Sequence, residues 1–149
     1  MAVIYQVDAF TNQMFKGNPA GVMLLKNEFL EEELMQNIVK EMNVSEVAFV
    51  VPKDNHFEIR YFTPKAEVPL CGHATLSAAH ILYELGTVPK LESIIFQALK
   101  DQLEISFTPE GYQMKFPEYI LQPTSTSNWA EVLGLNIKEA FEVTNDWTM

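Results

Sequence analysis

The sequence predicts an α+β fold in which a curled, mainly antiparallel sheet surrounds a central buried helix. Short strand-like segments outnumber helical segments along the chain. One helical segment, 73–85, is apolar on nearly every side, which is typical of a helix enclosed by other structure. A second helical segment, 30–42, is amphipathic and therefore suits the outer face of a sheet.

The first strands are short and are separated by turn-forming residues. Val3, Tyr5 and Val7 alternate with other residues and predict a strand. Residues 11–19 contain Asn, Gly and Pro and predict a loop, after which the apolar run 20–25 predicts a second strand.

The amphipathic helix follows. Leu30, Leu34, Ile38 and Met42 recur every four residues and predict a core-facing stripe. The acidic run 31–33 suits the positive end of the helix dipole.

A hairpin and the buried helix occupy the middle of the chain. Residues 46–51 and 56–62 predict two strands, and Gly86 suits the end of the helix 73–85. Three further strands are predicted at 91–97, 103–107 and 112–116.

The composition changes after the last of these strands. Residues 117–128 are rich in Pro, Ser and Thr and predict a linker, and 129–133 and 137–141 predict two short helices. We therefore expect an N-terminal domain over residues 1–120. Residues 121–149 are expected to form a linker and the start of a truncated second domain.

Composition excludes several classes of function. The formal charge of −10 disfavours nucleic acid as a partner. The single cysteine, Cys71, excludes an intrachain disulfide and a cysteine-based cluster, and the three histidines lack a ligand spacing, so we expect no metal. No signal peptide or apolar run of membrane-spanning length is evident, so we expect a cytoplasmic protein without membrane contact.

Glu46 is the first candidate for chemistry. It directly precedes the apolar strand 47–51, where desolvation would raise the pKa of its carboxyl group and suit it to general acid or base catalysis. The alternative is a solvated glutamate at the end of a strand.

The start of the buried helix is the second candidate. Free backbone amides at a helix N-terminus can hold a substrate carboxylate, and Gly72 permits close approach. His73 can donate a hydrogen bond or assist proton transfer, and Cys71 can act as a thiol base because a helix N-terminus lowers the pKa of a thiol. The alternatives are a capping histidine and a small core cysteine. Asn18 either binds a ligand or belongs to a simple turn.

Several segments carry a family resemblance. They are Asp8-Ala9-Phe10-Thr11, Gly17-Asn18-Pro19-Ala20, Met35-Gln36, Asn43-Val44-Ser45-Glu46, Ile59-Arg60-Tyr61-Phe62-Thr63-Pro64, Glu67-Val68 and Cys71-Gly72-His73-Ala74-Thr75. In this order they resemble the PhzF-like, or phenazine biosynthesis-like, isomerase family over about residues 3–90. The resemblance implies the diaminopimelate-epimerase fold, in which two similar domains face each other across the active site.

The resemblance also implies roles for residues. Glu46 becomes the acid/base that transfers a proton, and Gly72 and His73 become the binding residues for a small, cyclic hydroxy- or amino-carboxylic acid, without metal or organic cofactor. Cys71 corresponds to a catalytic thiol of related epimerases, so a cysteine-dependent racemase is an alternative. Because family members are about twice as long, we expect an incomplete site and a homodimer. A chain that folds and associates without catalysis is the third possibility.

Overall fold

The structure is a computed structural model that describes residues 3–116, 118 and 120–143. The chain divides into two compact units, and the boundary lies between Phe116 and Pro117. The predicted domain boundary was placed four residues later, at position 120. Residues 144–149 of the predicted second segment lie outside the described residues.

The first unit contains eight strands and two helices. They are β1 (Ile4–Ala9), β2 (Asn18–Leu24), α1 (Glu32–Met42), β3 (Glu46–Pro52), β4 (Phe57–Phe62), β5 (Glu67–Val68), α2 (Gly72–Glu84), β6 (Ile94–Gln97), β7 (Gln102–Thr108) and β8 (Gly111–Lys115). The strands form one sheet in the order β1-β2-β3-β4-β6-β7-β8, with β5 paired to β4. Only the β2–β3 and β4–β6 pairs are parallel. The predicted fold class, a curled and mainly antiparallel sheet around a buried helix, is confirmed.

Helix α2 is the centre of the main core. Ala74, Ala78 and Ala79 have no exposed surface, and these small side chains let the surrounding strands approach the helix closely. Gly86 has a positive φ of 67° directly after the helix, and its N–H donates to the Tyr83 carbonyl at 3.1 Å. The helix therefore ends as the sequence predicts, with glycine in the left-handed conformation.

Helix α1 covers the opposite face of the sheet. Met35 and Val39 are completely buried against Phe49 and Phe62. Leu34, which was predicted to lie in the core-facing stripe, is 50% exposed. The other residues of the predicted stripe, Leu30, Ile38 and Met42, are partly buried against the same core, so the stripe is confirmed except at Leu34.

Strand β3 lies between the two helices. Val47 and Phe49 belong to the α1 core, whereas Ala48 and Val50 belong to the α2 core. Coverage of both faces explains why this strand is a continuous apolar run rather than an alternating one.

The second unit contains a two-stranded antiparallel sheet and a short helix. They are β9 (Leu121–Thr124), α3 (Ser127–Leu133) and β10 (Ala140–Val143). The predicted linker therefore includes a strand. The helix predicted at 137–141 is wrong, because residues from Ala140 onward pair with β9. No helix in the described part of the chain is both long and apolar enough to cross a membrane.

Candidate active site

Glu46 is the first residue of β3 and lies at one end of the sheet. Its partner in the parallel register with β2 is Ala20. The Glu46 side chain is 21% exposed, but its Oε2 atom is buried and has no hydrogen-bond partner among the described residues. A buried carboxylate oxygen without a partner is uncommon, because its desolvation is not compensated.

Cys71 immediately precedes α2 and has an extended backbone, with φ of −146° and ψ of 105°. Its carbonyl oxygen accepts hydrogen bonds from the Thr75 N–H at 3.0 Å and from the Thr75 hydroxyl at 2.7 Å. The Tyr61 hydroxyl lies 2.5 Å from Thr75 Oγ1. Tyr61 and Thr75 are both buried, so this chain of hydrogen bonds fixes the first turn of α2 from within the core.

His73 brings the candidate residues together. Its Nε2 atom lies 3.2 Å from Glu46 Oε2 and 3.3 Å from Ser45 Oγ. Its Nδ1 atom lies 3.3 Å from Cys71 Sγ. The approach of Nε2 to Glu46 is close enough for a charge interaction but lacks hydrogen-bond alignment, since Oε2 has no hydrogen-bond partner.

The positions of the protons follow from the partners. The single proton of the Ser45 hydroxyl is donated to the Pro19 carbonyl at 3.3 Å. Ser45 Oγ is therefore an acceptor toward His73, so Nε2 carries a proton. In a neutral imidazole, Nδ1 is then the acceptor for the Cys71 S–H. These contacts form one directed series from Cys71 through His73 and Ser45 to Pro19.

The Cys71 thiol is held in its protonated form. Burial raises its pKa from 9.0 to about 11, and the negative charge of Glu46 contributes to the rise. The backbone amides of His73 and Ala74 act in the opposite direction, as a helix N-terminus does, but burial outweighs them. The expectation of a lowered thiol pKa therefore fails, because desolvation is larger than the effect of the helix end.

Asn18 lies at the same end of the sheet as Glu46 but is not joined to the other candidates. It is the exposed first residue of β2, two positions before the register partner of Glu46. None of the contacts described for residues 3–116 links Asn18 to Glu46 or His73. Its neighbour Gly17 has a structural role, since a Cβ there would lie 2.4 Å from the Ala9 carbonyl oxygen.

Gly72 is the first residue of α2, and an aromatic ring lies over it. A Cβ at Gly72 would lie 3.0 Å from Cζ of Phe116. The Phe116 side chain is half exposed, so it can move away from the helix end. Gly72 therefore leaves no side chain over the start of α2 on this side, and the ring of Phe116 occupies that space.

The sequence predicted most of this cluster but missed two contributions. Glu46, Cys71 and His73 come together as predicted, and one ligand-type atom of each lies within 4.8 Å of the other two. Ser45 was not predicted, although a hydroxyl group directly before Glu46 was an available signal. Phe116 was not predicted either, because nothing in the sequence links it to residue 72.

Comparisons with known proteins show which family the chain resembles. The family model described as phenazine biosynthesis-like protein matches residues 7–142. An uncharacterized isomerase from Halalkalibacterium halodurans is 46% identical over 114 residues, which cover 76% of this chain and 43% of that protein. An uncharacterized isomerase from Pseudomonas aeruginosa is 38% identical, with 97% of this chain and 55% of that protein covered.

A solved structure shares the architecture. The crystal structure of a phenazine biosynthesis PhzC/PhzF protein from Clostridium difficile, described as putative, superposes with a TM-score of 0.80 at 38% identity. The alignment covers 95% of this chain and 54% of that one. The chain spans about half the length of the curated relatives it matches.

Proposed function

This chain belongs to the PhzC-PhzF family of phenazine biosynthesis-like proteins, and from that premise we propose that it contributes the proton-transferring half of an isomerase site. The family resemblance predicted from the sequence motifs is thereby confirmed. In the proposed reaction, Glu46 moves a proton between two atoms of a small carboxylic acid. The reaction requires no metal and no organic cofactor.

One observation carries the proposal, namely the buried Oε2 atom of Glu46 that has no hydrogen-bond partner among the described residues. The neighbouring side chains are engaged with one another, since Ser45, His73 and Cys71 are in contact in series. The Glu46 carboxylate is 21% exposed and has no described hydrogen-bond donor on its buried oxygen, so it is available to accept a proton from a substrate. The Nε2–H group of His73, 3.2 Å away, can stabilise the resulting negative charge on the substrate.

The start of α2 supplies the binding corner in this proposal. The N-terminus of α2 carries positive dipole charge, which favours a substrate carboxylate. The amides of His73 and Ala74 already interact with the Cys71 sulfur, and that of Thr75 donates to the Cys71 carbonyl, so in this proposal the helix end acts through its charge. Gly72 leaves this backbone without a side chain, and Phe116 can pack against the face of a substrate ring. Asn18, exposed at the same end of the sheet, is proposed as a further hydrogen-bonding residue.

We also propose that a second copy of the chain provides the opposite wall of the site. Strands β1 and β8 are the two end strands of the sheet. A cavity of about 800 Å³ lies beside both of them and the middle of α2, but none of Glu46, Gly72 or His73 lines it. Unpaired strand edges favour association. The loop after β1 adds a largely exposed apolar surface formed by Phe10, Met14 and Phe15.

The test of the isomerase proposal is deuterium incorporation from D₂O. A dihydro-hydroxyanthranilate-type acid is incubated with the chain and followed by proton NMR. We expect deuterium at one ring carbon, and a decrease of about 10²–10⁴-fold in Glu46→Gln. The control is Glu41→Gln, an exposed glutamate near the end of α1. Exchange at an equal rate in Glu46→Gln and the parent would contradict the proposal.

The test of the dimer is mass in solution by light scattering, with and without a small aromatic carboxylate. We expect a dimer that the carboxylate stabilises. A monomer at micromolar concentration whose mass does not change when the carboxylate is added would contradict the proposal that a second copy supplies the wall. That outcome would favour a chain that folds without completing a site.

The contact of Cys71 Sγ with His73 Nδ1 favours a second candidate function, that of a cysteine-dependent racemase. The raised pKa of Cys71 weakens it, because little thiolate exists at neutral pH. Cys71→Ser separates the two reactions. It abolishes exchange if the thiol removes the proton, and leaves most of the exchange if Glu46 does.

A further inference from the structure

We infer that Glu46, Cys71 and His73 form a binding site for a thiophilic divalent cation such as Zn²⁺. The ligands are one carboxylate oxygen, one thiolate and one imidazole nitrogen, all donor types that Zn²⁺ accepts in proteins. One such atom from each residue lies within 4.8 Å of the other two. The first ligand is distant in sequence from the other two, so sequence spacing gave no sign of the site.

The distances suit a small ion with tetrahedral geometry. With metal–ligand bonds of roughly 2.0–2.3 Å, neighbouring ligand atoms in such a site lie about 3.3–3.7 Å apart. Cys71 Sγ and His73 Nδ1 are already 3.3 Å apart. One ligand-type atom of each of the three residues lies within 4.8 Å of the other two, so a shift on the order of 1 Å brings the cluster into the range of a tetrahedral site.

The hydrogen bonds around the cluster permit this movement. When His73 binds the ion through Nδ1, its Nε2–H still donates to Ser45 Oγ, 3.3 Å away. A second ring nitrogen fixed in this way orients a metal-binding histidine. Glu46 Oε2 has no hydrogen-bond partner among the described residues, so its movement breaks none.

Burial weakens the screening of the ligand charges at this site. Cys71 is 8% exposed, and the side chains of His73 and Glu46 are 11% and 21% exposed, so water screens the ligand charges weakly. Binding replaces the S–H proton with a metal–sulfur bond and releases that proton to solvent. Three protein ligands leave the fourth position for water or a carboxylate.

A bound ion would occupy the oxygen that the proposed isomerase uses for proton transfer. Inhibition by Zn²⁺ is therefore a consequence that rests on the proposed function. Binding itself does not depend on that activity and is measured without it.

The experiment is a titration of the 149-residue chain with Co²⁺ under a non-chelating reductant, followed by absorption spectroscopy. We expect one ion per chain, intense visible bands of tetrahedral cobalt and a thiolate-to-cobalt charge-transfer band. Zn²⁺ should remove these bands by competition. Cys71→Ser should abolish the charge-transfer band, and Glu46→Gln should weaken binding by about tenfold or more.

A histidine away from the cluster provides the control. His56 lies in the turn between β3 and β4, where its Nδ1 contacts Asn55. His56→Asn should bind Co²⁺ as the parent does, whereas His73→Asn should not. Absence of the charge-transfer band in the parent chain would overturn the inference. The inference would also be overturned if His56→Asn lost Co²⁺ binding while Glu46→Gln and His73→Asn kept it. This comparison does not depend on whether Cys71→Ser folds.

Discussion

Removal of either hydroxyl group from the Tyr61–Thr75 pair should have unequal effects on stability. The Thr75 hydroxyl donates its only proton to the Cys71 carbonyl at 2.7 Å, so Tyr61 must be the donor in its 2.5 Å contact with Thr75. In Tyr61→Phe, Thr75 keeps its acceptor and no buried donor is left unpaired. In Thr75→Val, the Tyr61 hydroxyl remains buried without an acceptor among its described partners, while the Cys71 carbonyl still accepts the backbone N–H of residue 75 at 3.0 Å.

The expected magnitudes follow from this asymmetry. A typical hydrogen bond contributes about 1 kcal/mol, which is the expected loss for Tyr61→Phe. An unpaired buried donor costs about 1–3 kcal/mol in addition to the bond of about 1 kcal/mol, so Thr75→Val should lose about 2–4 kcal/mol. The double variant removes both groups and should be more stable than Thr75→Val alone.

Urea unfolding followed by circular dichroism measures these changes. With a urea dependence of about 2 kcal/mol per molar, Thr75→Val should lower the midpoint by about 1–2 M and Tyr61→Phe by about 0.5 M. The reasoning would be refuted if Thr75→Val cost no more than Tyr61→Phe. It would also be refuted if the double variant lost the sum of the two single changes, because that result means the groups do not interact.

Three further predictions concern pH, an ion pair and a glycine. Burial raises the pKa of Tyr61 above 10.0, so its neutral form stabilises the fold fully below pH 10 and less as pH rises above it. The stability advantage of the parent over Tyr61→Phe should therefore shrink above pH 10, by up to about 1.4 kcal/mol per pH unit in urea unfolding, and a constant difference would count against this. Arg60→Lys should lose about 1 kcal/mol in the same assay, because lysine cannot make the paired contacts of Arg60 with Glu67 at 2.6 and 2.7 Å; an unchanged midpoint would contradict it. Gly17→Ala should lose about 1–3 kcal/mol from its clash with the Ala9 carbonyl, more than Gly86→Ala, which has open space and only backbone strain; the reverse order would contradict this.

The sequence predicted the fold through its most regular signals. The all-round apolar pattern of 73–85 identified the enclosed helix, and the run 46–51 identified a strand that is buried on both faces. The two-residue strand β5 was missed, since it is too short to show a pattern. The segment 137–141 was assigned to a helix because the pairing that makes residues from Ala140 onward a strand is not local.

The candidate site was predicted in part for a similar reason. Glu46 and His73 could each be proposed from their positions at the start of a strand and of a helix. Their separation of 3.2 Å depends on the parallel pairing of β2 with β3 and on the course of the chain from β4 to α2. The pKa of Cys71 was predicted in the wrong direction because the helix end is visible in the sequence, whereas burial is visible only in the fold.

The same contacts explain why Glu46, rather than Cys71, suits proton transfer. The thiol is buried, protonated and directed toward His73, and each further group in the series has a partner as far as the Pro19 carbonyl. This order leaves no acceptor for a substrate proton within the series itself. In the proposed reaction the acceptor is the Glu46 carboxylate beside it, and the Nε2–H group that approaches it can remain protonated throughout. Cys71 and Ser45 are therefore positioning residues in the proposed reaction, since they fix the ring of His73 and the nitrogen that carries its proton.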